Sequence, residues 1–295
     1  MILSEIAPAK VNLCLHVGPV RDDGYHPLAS LVAFADVGDI VTVEPAEILS
    51  LTVTGPFGAG LDGEGDNLIL KALRALGQAT ATGDPRLRVT LDKRLPIAAG
   101  LGGGSSDAGA ALRLARRALA LDIDDAGLEA VSAVVGADGP MCLRARTAWA
   151  EGIGDLLDET PGLAPLHAVL VNPGVACSTG AVYRAYDAAP AGGADRPVDP
   201  ADFSAAGVIR WLAERRNDLQ APALTVAPAI AEVLSALSAC DGVGLVRMSG
   251  SGATVFALFE DATQASAAAV TVSAAHPDWW VTPTVLGNWT ATAKL

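Results

Sequence analysis

The chain has 295 residues, 51% hydrophobic and 4% aromatic, a length that fits about two domains whose cores Ala, Val and Leu must fill. Twenty Lys and Arg against 33 Asp and Glu give a net charge of −13. With no run of basic residues, the chain lacks a phosphate-neutralising surface for duplex nucleic acid.

A polyanionic small molecule stays open, because backbone N–H groups and helix ends hold phosphate without many cations. Cys14, Cys142, Cys177 and Cys240 lie too far apart in sequence for a zinc knuckle or a redox pair. Buried thiols in a reducing compartment are expected. The opening MILSEIAPAK has no basic-then-apolar signal pattern. The longest uncharged stretch, Thr160 to Tyr183, is broken by Pro161, Pro165 and Pro173. A soluble, cytoplasmic protein with a small-molecule substrate and no membrane partner is expected.

Val11, Leu13, Leu15 and Val17 alternate with Asn12, Cys14 and His16, the pattern of a strand with one polar face. A turn follows at Arg21-Asp22-Asp23-Gly24, and short strands are predicted at Ile40–Glu44, Leu49–Thr54 and Arg86–Asp92. A helix opens near Asp66-Asn67, with Asn67 as its cap. A second begins near Ser105, with Ala108, Ala111, Leu112, Ala115 and Leu119 on one face and Arg113, Arg116 and Arg117 on the other. A third spans Asp124–Val135. After Glu151 come a strand at His167–Val171, a helix at Thr179–Tyr186 and an exposed loop from Ala188 to Asp202. Helices at Ala205–Arg215 and Ala227–Ala239 lead to strands at Gly244–Met248 and Thr254–Phe259. A helix at Ala262–Ala274 and strands at Trp280–Val285 and Trp289–Ala293 complete the reading. Strands mixed with helices in both halves indicate an α+β fold, with a domain boundary near residue 155.

The segment Leu95-Pro-Ile-Ala-Ala-Gly-Leu-Gly-Gly-Gly-Ser-Ser-Asp107 carries the strongest chemical signal. Gly100, Gly102, Gly103 and Gly104 let backbone N–H groups approach a ligand, and the following helix start favours phosphate. Gly103 is expected at positive φ. The segment is not a Walker A loop, because no Lys follows the last glycine. A plain loop capped by Ser105 or Ser106 reads from the same residues. Asp107 conflicts with phosphate unless it faces a cation or solvent. Lys10 and Asn12, two apart, share one strand face. Asp138 stands among small residues in Val135-Gly-Ala-Asp-Gly-Pro140, where burial needs a partner. A strand lysine is ordinarily solvated and Asp-Gly-Pro is ordinary turn chemistry, so neither points to function by itself. Asp23-Gly-Tyr-His26 presents an aromatic and an imidazole after a turn, and Arg247-Met-Ser-Gly-Ser-Gly-Ala-Thr-Val-Phe256 is a second Gly/Ser loop. His16, His167 and His276 are read as structural.

Taken in order, Pro8-Ala-Lys-Val-Asn-Leu13, Leu101-Gly-Gly-Gly-Ser-Ser-Asp-Ala-Gly109 and Met248-Ser-Gly-Ser-Gly-Ala253 resemble the three motifs of the GHMP kinases. Asp23-Gly-Tyr-His26 and Val135-Gly-Ala-Asp-Gly-Pro140 resemble the branch whose alcohol carries a cytidine diphosphate. Asn217-Asp218-Leu219 and the Ser178-Thr179…Val182-Tyr183 segment also fit, so the likeness runs from about residue 7 to 256. It implies a two-domain α+β fold, with an N-terminal nucleotide-loop domain (1–155), a C-terminal ferredoxin-like domain (156–295) and the active site between them. ATP, with Mg²⁺, would lie on Pro96, Ile97, Ala98, Ala99, Gly100, Leu101, Gly102, Gly103, Gly104, Ser105 and Ser106. Lys10 and Asp138 would be the catalytic pair. Asn12, Tyr25 and His26 would hold the cytidine end, with Tyr183 stacking from the other side. No residue is assigned to metal. The implied activity is phosphorylation of the alcohol's 2-hydroxyl in a route to isoprenoid precursors, by a monomer or homodimer. A kinase for a mevalonate- or homoserine-like alcohol would share the loop but has no need of Tyr25 and His26. Ala98-Ala99 departs from the usual glycines, and Gly139-Pro140-Met141 gives Asp138 a more flexible neighbour than the family pattern.

Overall fold

The computed structural model describes residues 1–61, 67–159, 162–190 and 192–289. Its organising element is a long strand, β3 (Leu28–Pro45), which pairs antiparallel with β1 (Leu3–Asn12). Their register shifts between Pro8, opposite Gly38, and Lys10, opposite Phe34. Pro8 donates no ladder bond, and at Gly38 a side chain would run into the Ala7 carbonyl, so the strands part here in a bulge. Beyond the bulge β1 resumes its pairing with Phe34, Ala33 and Val32, while Ala35 and Phe34 also pair with β11 (Trp280–Gly287), near the other end of the chain. β11 continues antiparallel to β8 (Leu166–Asn172), followed by β10 (Val255–Phe259) and β9 (Val243–Met248). On the far side of β3 lie β5 (Leu87–Asp92) and, parallel to it, β4 (Ser50–Thr54). A hairpin of β6 (Ala148–Glu151) and β7 (Leu156–Glu159) covers the start of β3, where the short β2 (His16–Val17) also pairs. The sheet therefore runs β4-β5-β3-β11-β8-β10-β9 through both halves of the chain.

Helices α1 (Leu68–Ala79), α2 (Gly103–Ala118), α3 (Asp125–Ser132) and α4 (Gly139–Arg144) pack on the β4-β5-β3-β1 part. Ala108, Ala111, Leu112 and Ala115 of α2 form one buried stripe, as their spacing predicts, and Ile69, Leu73 and Leu76 of α1 form another, with Leu70 only half-buried. Asn67 caps α1, its Oδ1 accepting from Ile69 N at 2.9 Å. Helices α5 (Thr179–Asp187), α6 (Ala205–Ala213), α7 (Gln220–Val226), α8 (Ala229–Ser238) and α9 (Ala262–Ala275) pack around β8-β10-β9. β8 is buried on both faces: Val169 and Val171 meet one core while Leu166, Ala168 and Leu170 meet another.

Several expectations need correction. The alternation over residues 11–17 is not one half-exposed strand, because β1 ends at Asn12, β2 resumes at His16, and Asn12, Cys14 and His16 are all buried. α2 starts at Gly103, two residues earlier than read. The hairpin β6–β7, the first half of β3, and α7, whose Pro222 disguises it, had no sequence signal strong enough to read. The strand placed at Trp289–Ala293 falls beyond the described residues except for Trp289, which lies outside β11. Cys14, Cys142 and Cys177 are buried thiols and Cys240 is half-buried. Among the described residues, no helix is long and apolar enough to cross a membrane.

Candidate active site

The glycine loop turns back between β5 and α2 and lines a cleft of about 680 Å³. Gly100 and Gly102 take φ of 75° and 61°, and Ala98 joins them at 51° despite its side chain. Gly102 stands at the N-cap of α2 without a side-chain cap bond, which leaves the first-turn N–H groups for a ligand. Ser105 and Ser106 are therefore not the cap: both lie inside the helix, and Ser106 is fully buried. Gly103 is the first helical residue, so the expected positive φ belongs to Gly102.

The first and third motifs close on this loop. Lys10 N donates to Leu101 O at 2.8 Å, filling the gap the β-bulge opens in the ladder. A side chain at Gly102 would press on the Lys10 stem, with Cβ 3.0 Å from Cε. Ser249 Oγ accepts from Asn12 N at 3.1 Å and donates to Gly100 O at 2.9 Å, joining all three motifs at one hydroxyl. Thr254 N donates to Ala99 O at 3.1 Å. Asn217 Nδ2 donates to Met248 O and Gly250 O, both at 2.8 Å, and Asp218 Oδ2 accepts from Val17 N at 2.8 Å. The Asn217-Asp218 pair thus braces the third loop and β2. Arg247 is buried and donates to the carbonyls of Leu13, Leu212 and Arg215 at 2.7 to 2.8 Å.

Lys10 Nζ lies 3.1 Å from Asp138 Oδ2 and donates to Asn12 Oδ1 at 3.1 Å. The shared strand face of Lys10 and Asn12 is thereby realised, but on the cleft wall rather than toward solvent. Asp138 opens α4 with its side chain 39% exposed to the cleft, so its carboxylate is reachable while paired. Gly139 beside it is sterically required: a side chain there would collide with Ser132 O. The geometry offers an accessible carboxylate held by a buried ammonium, a pair that can take a proton from an alcohol and stabilise charge on its acceptor. Burial pushes the neighbouring Cys142 thiol up to about 12, which leaves it without nucleophilic character.

The far end of the cleft is less complete. Tyr183, on α5, lines it, and burial pushes its phenol up to about 12. His26 lies against Tyr183, ring centroids 4.9 Å apart, with Nδ1 2.9 Å from Gly18 O and Nε2 3.3 Å from Asp187 Oδ1. Neither Tyr25 nor His26 lines the cleft: the Tyr25 side chain leaves the turn 59% exposed, and His26 stands behind Tyr183 with both ring nitrogens facing protein partners. Asp107 faces a cation, Lys93 Nζ, at 2.8 Å, which resolves its conflict with phosphate. Lys93, Asp39 and Asp187 escaped the sequence reading. Asp39, an acid inside the apolar run Val37–Val43, carried a signal that could have exposed it.

A glycine loop at a helix start, crossed by a lysine strand and a Gly/Ser hairpin, defines a small-molecule kinase of the GHMP class. Residues 67–145 match the GHMP kinases N terminal domain and 204–278 the GHMP kinases C terminal domain. A 4-diphosphocytidyl-2-C-methyl-D-erythritol kinase of Caulobacter vibrioides is 52% identical over 95% of this chain and 98% of its own length. The crystal structure of a 4-(cytidine 5'-diphospho)-2C-methyl-D-erythritol kinase superposes with a TM-score of 0.77 at 34% identity, covering 97% of this chain and 100% of that one. Homoserine kinase from Cytophaga hutchinsonii shares the fold, with a TM-score of 0.68 at 16% identity over 99% of this chain and 97% of its own. The chain belongs to the 4-diphosphocytidyl-2-C-methyl-D-erythritol kinase family.

Proposed function

We propose that the protein transfers the γ-phosphoryl group of ATP to the 2-hydroxyl of 4-diphosphocytidyl-2-C-methyl-D-erythritol, a step toward isoprenoid precursors, as a cytoplasmic monomer or homodimer. The observation that carries the reading is the Lys10–Asp138 pair at 3.1 Å, open to the cleft that the glycine loop lines. Loop residues 96–106 hold the nucleotide phosphates on backbone N–H groups and the positive end of α2. Mg²⁺ arriving with the nucleotide would supply charge neutralisation at those phosphates. Asp138 accepts the proton of the attacking hydroxyl, and Lys10 holds that carboxylate in place and stabilises charge on the phosphoryl group. Asn12, expected at the cytidine end, has its amide on Lys10 and Ser30 beside the reacting pair, and there it keeps Lys10 aligned. Tyr183 offers its ring to the pyrimidine, His26 reads the pyrimidine edge by exchanging its Asp187 partner for the base, and Tyr25 reaches the other face when its turn folds over the base. Residues 1–155 form the nucleotide-loop half and 156–295 the second half, a division that falls between the two matched segments.

The test is incubation with ATP and Mg²⁺ and a panel of alcohols: the cytidine diphosphate compound, its uridine analogue, mevalonate and homoserine. ADP release and phosphorus NMR of the product are followed. ADP and a new 2-phosphomonoester with the cytidine compound are expected. Turnover of mevalonate or homoserine in its place, or equal use of the uridine analogue, would overturn the assignment.

A further inference from the structure

Beneath the glycine loop lies a charged cluster that the mechanism above does not use. Lys93 Nζ donates to Asp39 Oδ2 at 2.5 Å and to Asp107 Oδ2 at 2.8 Å, and all three side chains are at most 4% exposed. The three come from distinct segments: Asp39 from β3, Lys93 from the residue just after β5 and Asp107 from the second turn of α2. Asp39 Oδ1 also accepts from Arg94 N at 2.6 Å and Leu95 N at 2.8 Å, the last two amides before the loop. Lys93 N is itself tied to Thr54 O at 2.8 Å. Asp107 leaves the loop on its other side. A Cβ added to Gly103 would stand 3.0 Å from Lys93 Nζ, so the ammonium sits directly under the first residue of α2.

We infer that Lys93, Asp39 and Asp107 form a clip that joins the entry and exit of the phosphate loop, fixes its span and thereby sets nucleotide affinity. The three are positioning residues. This rests on the reading that loop 96–106 holds ATP. Three buried ionisable groups are a costly way to hold a turn that apolar contacts could hold, so their presence at both loop ends points to a geometric requirement. Burial, with the Asp39 carboxylate beside it, pushes the Asp107 carboxyl well above its ordinary range, while Lys93, against the pull of burial, is held charged by the Asp39 carboxylate and the Asp107 oxygen. Asp107 Oδ1 is buried without a hydrogen-bond partner among the described residues, as suits a neutral acid better than a carboxylate. The cluster is then one ion pair, Lys93 and Asp39, plus a neutral acid that contributes an oxygen to the ammonium. Removing Asp107 detaches the exit of the loop and leaves the ion pair balanced, so the fold survives. Removing Lys93 would strand a buried carboxylate, so that substitution is the poorer test.

The experiment compares wild type, Asp107→Asn and Asp107→Leu, with Asp107→Ala as the variant that puts no new bulk against the ammonium. Affinity for a fluorescent ATP analogue, KM for ATP and for the alcohol, and amide hydrogen exchange are measured on the intact chain. Asp107→Leu and Asp107→Ala should weaken nucleotide binding by about tenfold or more, in line with the effect of small misplacements at a binding site. Exchange should quicken over residues 96–106 and not in β8, and KM for the alcohol should stay within about twofold. Asp107→Asn keeps a neutral oxygen acceptor for Lys93 and should restore both readouts. Wild-type nucleotide affinity in the Leu and Ala variants would overturn the clip. So would an Asn variant as weak as Leu, or exchange quickened equally throughout the molecule. A wild-type chain that binds no ATP would instead fail the reading on which the clip rests.

Discussion

The two ends of the cleft are built by different means. At the phosphate end the contact surface is backbone, shaped by Gly100 and Gly102 and fastened by Ser249, Thr254, Lys10 N and Asp39. At the end proposed for the pyrimidine it is side chains from separate segments: Tyr25 exposed on its turn, His26 pinned between Gly18 O and Asp187, and Tyr183 on α5. The first surface is already shaped by the fold, whereas the side chains proposed for the second are not gathered into one cavity. Charge that develops during phosphoryl transfer is best met by dipoles already in place, since none must reorganise during the reaction. Recognition of a particular base tolerates assembly from loop side chains, and loops are where relatives on one fold can diverge in substrate.

The contrast is tested hardest at the reacting pair. Asp138→Asn should lower kcat by ~10²–10⁴-fold while ATP affinity stays close to wild type; retention of more than about a tenth of kcat would remove Asp138 as the base. At the phosphate end, Gly100→Val should raise KM for ATP by about tenfold or more, because φ of 75° is strained for a β-branched residue and its Cβ would meet the Ser249 carbonyl. A folded Gly100→Val variant with unchanged KM for ATP would show that the preformed loop is not what binds. At the pyrimidine end, Tyr183→Ala and Tyr25→Ala should each cost ~1–3 kcal/mol in kcat/KM, equally for cytidine and uridine substrates, since stacking does not distinguish them. His26→Ala should fall hardest on the cytidine form and narrow the preference; a preference ratio untouched in that variant would move discrimination to neighbouring backbone groups.

The smallest effect concerns the loop that covers β2. His16 is buried, with Nδ1 3.0 Å from the Asp195 carbonyl, and burial holds its imidazole below the ordinary range. A depressed histidine contributes stability that is full above the ordinary imidazole range and lost as pH falls through the folded value. The melting temperature should therefore fall by about 2 °C more in wild type than in His16→Gln as pH is lowered from about 8 to 5. Parallel curves for the two proteins would show that His16 does not titrate with unfolding.

Much of the chemistry was legible because it depends on neighbours in sequence. The apolar spacing of α2, the Asn67 cap, the common face of Lys10 and Asn12 and the glycine run before a helix each follow from periodicity or from the freedom of a residue without Cβ. Local rules went astray where a distant partner took over. Ser105 and Ser106 are good caps by type, yet Gly102 holds the cap because the loop must bend over the Lys10 stem. For Asp107 the sequence leaves a cation and solvent both open and for Lys93 it gives no signal, because only the fold of β3 brings Asp39 beside Lys93 and the loop exit. The polar alternation of Asn12, Cys14 and His16 suggested a wet face, and packing buried it.

By itself, then, the sequence determined which residues could do chemistry: an amine and an amide on one strand face, a carboxylate among small residues, and a phosphate cradle at a helix start. Their meeting was decided by tertiary structure. Asn12 finds Ser249 across 237 positions because β3, paired with β1 through Asn12, also pairs with β11 and so carries the sheet on to β8, β10 and β9. Periodicity is a property of a dozen neighbouring residues, whereas the register of such a sheet is set by packing between segments hundreds of residues apart, where no local pattern can reach.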